Sequence, residues 1–122
     1  MRMVRFAAVA VACFVAAATV KTWAAGPSPV TVHVAHEVAD YAAWAAAFEA
    51  AAAIRREAGE LSHRVHHTPD MPTHVAVTFT FENTARAGDW ITSASLARGM
   101  KAAGAVGNVT VLVGDRRFEL AL

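Results

Sequence analysis

The order strand–helix–strand occurs twice after residue 29, and that repetition restricts the folds open to this chain more than any other feature in it. Val30, Val32 and Val34 alternate with Thr31, His33 and Ala35, the period-two pattern of a strand with one buried face. Asp40 is suited to cap the helix that follows. Tyr41, Trp44, Phe48, Ala51 and Arg55 lie three to four residues apart and share one helix face. Gly59 stands where a helix C′ residue belongs. Leu61 to His67 reads as the second strand. The stretch Thr68-Pro69-Asp70-Met71-Pro72-Thr73 is turn chemistry, because its prolines cannot sit in a central strand.

The second unit begins at His74. Val75, Val77, Phe79 and Phe81 point one way, and Ala76, Thr78 and Thr80 the other. Asn83 or Thr84 can cap a short helix to about Ile91, and Ser93 or Ser95 a second piece ending near Gly104. Val106-Gly107-Asn108 reads as a turn, and Val109 to Val113 as the last strand of the repeat. After Gly114-Asp115-Arg116-Arg117, the tail Phe118-Glu119-Leu120 is either a bulged continuation or a short returning strand. Together the units specify an α+β fold, a ferredoxin-like βαββαβ sandwich. Its four-stranded antiparallel sheet has helices on one face. The other face is left open and needs a cover.

Residues 1–25 have the layout of a secretory signal peptide and 26–29 that of a stiff linker, which leaves 30–122 as the folded domain. Arg2 and Arg5 precede an uncharged apolar run from Phe6 to Val20, and Ala24 and Ala25 offer a small-residue cleavage region. The run falls short of the roughly 20 residues that span a bilayer, which argues against a retained anchor. A lipoprotein signal would need Cys13 as its modified residue and leave only Phe6 to Ala12 as apolar core. The implied location is periplasmic or secreted, with no membrane attachment after cleavage. Without Arg2, Arg5 and Lys21, Lys plus Arg falls from 11 to 8 while Asp plus Glu stays at 10, so the exported part is near −2. No basic stripe remains, and nucleic acid is not an expected partner. Cys13, the sole cysteine, lies in the leader. The exported domain therefore has no disulfide, thiol nucleophile or cysteine ligand.

The stretch His36-Glu37-Val38-Ala39-Asp40-Tyr41-Ala42-Ala43-Trp44-Ala45-Ala46-Ala47-Phe48 resembles the strand-to-helix opening of the dimeric α/β-barrel superfamily, in particular its small antibiotic biosynthesis monooxygenase-like members. Ala58-Gly59, Pro69-Asp70, Trp90, Ser93, Leu96, Met100, Ala103-Gly104 and Val106-Gly107 fit the same order, so the resemblance covers essentially all of 30–113. It implies a homodimer in which two sheets pack face to face and cover each other's open side. The superfamily includes cofactor-independent oxygenases, haem-degrading enzymes, isomerases and ligand-binding modules, so the resemblance does not assign an activity. The Asn–Trp–His arrangement of the haem-degrading branch finds no matching Asn and Trp beside His74, and no catalytic residue is carried over.

The distinctive chemistry lies in six histidines: His33, His36, His63, His66, His67 and His74. Parity places His33 and His74 opposite the valine faces of their strands. Pairing around the proline turn brings Arg64 and His66 to that same open side, where Thr31, Thr78, Thr80 and Thr110 add hydroxyls. A cavity between two sheets, lined by Arg64, His33, His66, His74 and Thr78, follows from that reading. There His33, His66 and His74 would be candidate catalytic proton shuttles and Arg64 an anion clamp. Taken one at a time, each histidine reads rather as an edge or strand-end polar group satisfied by water or by the partner subunit; the case for a pocket rests on the group.

His33/His36 and His63/His66 repeat a His-x-x-His spacing. Residues three apart on a strand face opposite ways, so no metal site is expected from them. Tyr41, Trp44 and Phe48 read as core, Trp90 as core or pocket mouth, and Arg55-Arg56 and Arg116-Arg117 as solvated. Arg56 is placed to pair with Glu60. No nucleophile elbow, phosphate loop or dinucleotide fingerprint occurs, and no cofactor is expected. The sequence thus points to an exported dimeric protein that binds a small organic molecule. The alternative is a cofactor-independent monooxygenase or isomerase acting on a small aromatic or enolisable substrate.

Overall fold

The computed structural model describes residues 28–122. The leader and residues 26–27 of the linker lie outside the described residues. The elements run β1 (Val30–Val38), α1 (Tyr41–Ala50), α2 (Ala52–Ala58), β2 (Glu60–His66), β3 (His74–Phe81), α3 (Thr84–Ile91), α4 (Ala94–Ala102), β4 (Ala105–Val113) and β5 (Arg116–Ala121). The strands form one antiparallel sheet in the order β2-β3-β1-β4-β5. The first four strands have the ferredoxin-like arrangement. The single chain's sheet is open and does not close into a barrel.

The expectation of four strands is corrected to five. Phe118 faces Val111 and Arg116 faces Val113, so the tail returns beside β4 across Gly114-Asp115. The expected turn at Val106-Gly107-Asn108 is instead part of β4. Between the pairs Ala35↔Thr110 and Glu37↔Val106, β4 carries more residues than β1. The bulge absorbs them where Gly107 adopts φ 74°, a backbone region cheap for glycine alone.

The expected single helix after Asp40 is broken in two at Ala51, whose φ and ψ are −90° and 6°. The capping expectations hold. Asp40 Oδ2 accepts from Ala43 N at 2.9 Å, Asn83 Oδ1 from Arg86 N at 2.8 Å, and Ser93 Oγ from Leu96 N at 3.1 Å. Gly59 closes α2 at φ 114°, and a Cβ there would sit 3.1 Å from Arg86 Cβ.

The helices cover one face of the sheet. Val32, Val34, Val75, Val77, Phe79, Phe81, Val109, Val111 and Val113 are buried beneath Trp44, Trp90, Ile91 and Met100. An aromatic chain runs through this layer: Trp44–Phe48 at 4.9 Å, Phe48–Phe79 at 6.1 Å, Phe79–Trp90 at 5.1 Å and Phe81–Trp90 at 5.0 Å between centroids. No helix among the described residues is long and apolar enough to cross a membrane.

Candidate functional site

Register fixes where each histidine goes. His33 is opposite Thr78 on β3, and Arg64 is opposite Thr78 from β2. Directly opposed residues share a face, so His33, Thr78 and Arg64 meet on the open side. His66 joins them. His33 Nδ1 and His66 Nε2 lie 3.1 and 3.2 Å from the Thr78 hydroxyl, which can donate to one ring and accept from the other. His74 stands apart at the strand end, its Nδ1 3.2 Å from Glu37 Oε1. The Thr73 hydroxyl donates to Glu37 Oε2 at 2.9 Å. These two hydrogen bonds, Thr73's first, hold the Glu37 carboxyl below its usual range. Four of the expected site residues are therefore neighbours, and all of them lie on an exposed surface of the single chain.

An apolar, partly open concavity is on the other side. A cavity of about 420 Å³ lies between the sheet and the helices. Val34, Val77, Phe79 and Val111 form its floor, Trp44, Phe48 and Trp90 supply aromatic walls, and Leu96, Gly99 and Met100 of α4 border it. That volume is within the range of pockets for small organic ligands, about 300–1,000 Å³.

Besides the exposed Ser95, two buried polar side chains stand in this apolar lining, and neither was among the site residues expected from the sequence. His36 is 4% exposed, and neither ring nitrogen has a hydrogen-bond partner among the described residues. Its ring is tilted against Trp44 at 5.8 Å. Burial is the main cause that lowers its pKa to about 4, with the nearby His74 adding to the effect and Glu37 opposing it. The ring is accordingly a neutral imidazole at ordinary pH, able to donate from one nitrogen and accept at the other.

Arg55 is the second. Expected to be solvated, it is instead 4% exposed, with its guanidinium carbon 3.7 Å from the Phe48 ring centroid. Nε donates to Glu60 Oε1 at 2.7 Å and Nη1 to the Phe48 carbonyl at 2.6 Å. Nη2 is buried without a partner. Glu60, expected to pair with Arg56, pairs with Arg55 and also contacts His63 Nδ1 at 2.8 Å through Oε2. Trp90 both packs against the sheet and lines the cavity.

Both residues left signals in the sequence. His36 has the parity of Val32 and Val34, and Arg55 lies two turns beyond Phe48 on the face that carries Trp44. Polarity argued for solvent, and position argued for the core.

No protein-family model matches the sequence, and no curated protein matches it significantly. Solved structures do match. SnoaB, a cofactor-independent oxygenase from Streptomyces nogalater, superposes with a TM-score of 0.56 at 14% identity, over 69% of this chain and 90% of that one. An antibiotic biosynthesis monooxygenase gives 0.55 at 13% identity, over 71% and 97%. A conserved protein from Bacteroides thetaiotaomicron gives 0.53 at 17% identity, over 78% and 100%. The chain shares the ferredoxin-like α+β fold of these structures. At these identities the similarity shows the fold and assigns no activity.

Proposed function

We propose that this antibiotic biosynthesis monooxygenase-like protein binds a small, largely apolar and planar organic molecule carrying an oxygen function, in the cavity between sheet and helices. The observation that carries the reading is the pairing of an aromatic-lined, partly open cavity with two buried polar groups that lack partners, His36 and Arg55 Nη2. Buried polar atoms are normally satisfied, and an orphaned one costs about 1–3 kcal/mol. A ligand oxygen could accept from the Arg55 Nη2 or the His36 N–H, and a hydroxyl could also donate to the other His36 nitrogen, while its ring system lies among Trp44, Phe48 and Trp90. Titration with the neutral fluorescent probe N-phenyl-1-naphthylamine tests this. Saturable one-to-one binding is expected, and Gly99→Trp should weaken it by filling the border of the cavity, where a Cβ meets nothing within 4 Å. Binding that never saturates would sink the reading.

A cofactor-independent oxygenase is the second reading, supported by the fold shared with SnoaB. In that chemistry the substrate supplies the electrons to oxygen, and the protein supplies a base and a dry pocket. An imidazole with a pKa near 4 is a weak base, which is why binding stands first. Oxygen uptake in the presence of 1,4-dihydroxynaphthalene, measured with and without protein in chelator-treated buffer, separates the two readings.

Two further parts of the proposal concern what surrounds the domain. A second copy is proposed to cover the open face, where Arg64, His33, His66 and Thr78 would meet its sheet and line the space between. Sedimentation velocity tests it, and a monomer at micromolar concentration would refute it. Export is proposed from the leader, and a mature protein beginning near residue 25 or 26 by intact mass is the expected result.

A further inference from the structure

The cavity's charge balance bears on what can enter it, granted the binding reading above. Arg55 is the sole charged residue on its wall among the described residues. A lone buried arginine would ordinarily act as a clamp for a carboxylate or phenolate, because its fork matches two oxygens. Here two of its five N–H groups are already taken. Nε is bonded to Glu60 Oε1 at 2.7 Å and Nη1 to the Phe48 carbonyl at 2.6 Å, and both members of the ion pair have side chains only 5% exposed. Nη2, with its two N–H groups, has no partner, and the charge of the guanidinium is matched by Glu60. An anion placed beside Nη2 would also lie near the Glu60 carboxylate, and it would add an uncompensated charge to an apolar cavity. A neutral acceptor would take the hydrogen bond without that cost.

We infer that Glu60 is a specificity-determining residue: by balancing Arg55, it makes the cavity select an uncharged hydrogen-bond acceptor over an anion of the same shape. Removing the Glu60 charge should convert the same wall into an anion site.

Isothermal titration at pH 8 with 2-naphthamide, 2-naphthoate and naphthalene tests this, the first two being close to isosteric. The wild-type protein should bind the amide at least about tenfold more tightly than the carboxylate, the size of effect expected for one buried charge-assisted hydrogen bond. In Glu60→Gln the ratio should narrow or invert. Should that variant not fold, Arg55→Met with Glu60→Leu serves instead, and there the amide should lose its advantage over naphthalene because the donor is gone. Wild-type protein that binds naphthoate as tightly as naphthamide would overturn the role given to Glu60 and leave the cavity reading standing. Failure of all three probes to bind would overturn the cavity reading, and this inference with it.

Discussion

The two faces of the sheet solve the problem of polar side chains in opposite ways. On the open face His33, His66 and Thr78 satisfy one another across neighbouring strands, in contact with solvent. On the helix-covered face His36 and Arg55 are buried among aromatic rings, and part of their hydrogen-bonding capacity is unused. A satisfied, solvated cluster loses little if it is removed. An unsatisfied, buried group is held there at a cost, and such costs are concentrated where a protein acts on something else. The open face has more histidines, yet the covered face has the apolar cavity and the unspent donors.

The largest effect that would sharpen this contrast is at the buried ion pair. Glu60→Leu alone leaves Arg55 as an uncompensated charge with a side chain only 5% exposed, which should destabilise the fold by about 3–5 kcal/mol; Arg55→Met alone leaves Glu60 its His63 contact and should cost less. The double variant Arg55→Met with Glu60→Leu should recover most of that loss, since well-packed apolar replacements of a buried pair are often near neutral. Urea denaturation of the three variants checks it. Single variants that unfold at the wild-type midpoint would mean that solvent reaches the pair and that the two faces differ little in how they hold polar groups.

The second effect is a pH dependence that belongs to the covered face alone. The pKa of His36 is lowered from 6.5 to about 4 in the folded chain. Between those values the unfolded chain binds a proton that the folded chain refuses, so stability falls as pH drops from about 6.5 to 4. The slope from one such group is at most about 1.4 kcal/mol per pH unit. Glu37 contributes in a different window. Its carboxyl is held below 4.5, so its contribution is lost only as pH falls beneath that range. His36→Leu should therefore flatten the stability curve between pH 6.5 and 4.5. An unchanged slope in that variant would show that His36 takes up its proton with little resistance in the folded protein.

How much of this was legible in the sequence depended on whether a residue's polarity and its position agreed. They agreed for the valine strands, for the caps at Asp40, Asn83 and Ser93, and for His33, His66, Thr78 and Arg64. The strand order and the open-face cluster followed from those. Polarity and position disagreed at His36 and Arg55. There the periodicity was sound, but a preference for solvating charged and polar side chains outweighed it. The fifth strand and the break at Ala51 were hidden for other reasons. Gly114-Asp115 permits both a bulge and a hairpin, and only the pairing of Phe118 with Val111 decides between them. The run of alanines around Ala51 gives no local signal for an interruption, because each favours helix equally.

The smallest expected effect is also the one most able to reverse the comparison. His33→Ala combined with His66→Ala removes both rings from the Thr78 hydroxyl at an exposed position. Substitutions of this kind usually change stability by no more than about 0.5 kcal/mol. Binding of N-phenyl-1-naphthylamine should be unaffected, because neither residue touches the covered cavity. If a second copy covers the open face, the same variant should weaken self-association, since the rings would then lie in the interface. The useful measurement is therefore probe affinity and sedimentation on one sample. Weaker association with intact affinity would assign the open face to assembly and the covered face to the ligand. Lost affinity with intact association would move the ligand to the space between the sheets and leave His36 and Arg55 as costly features of the core.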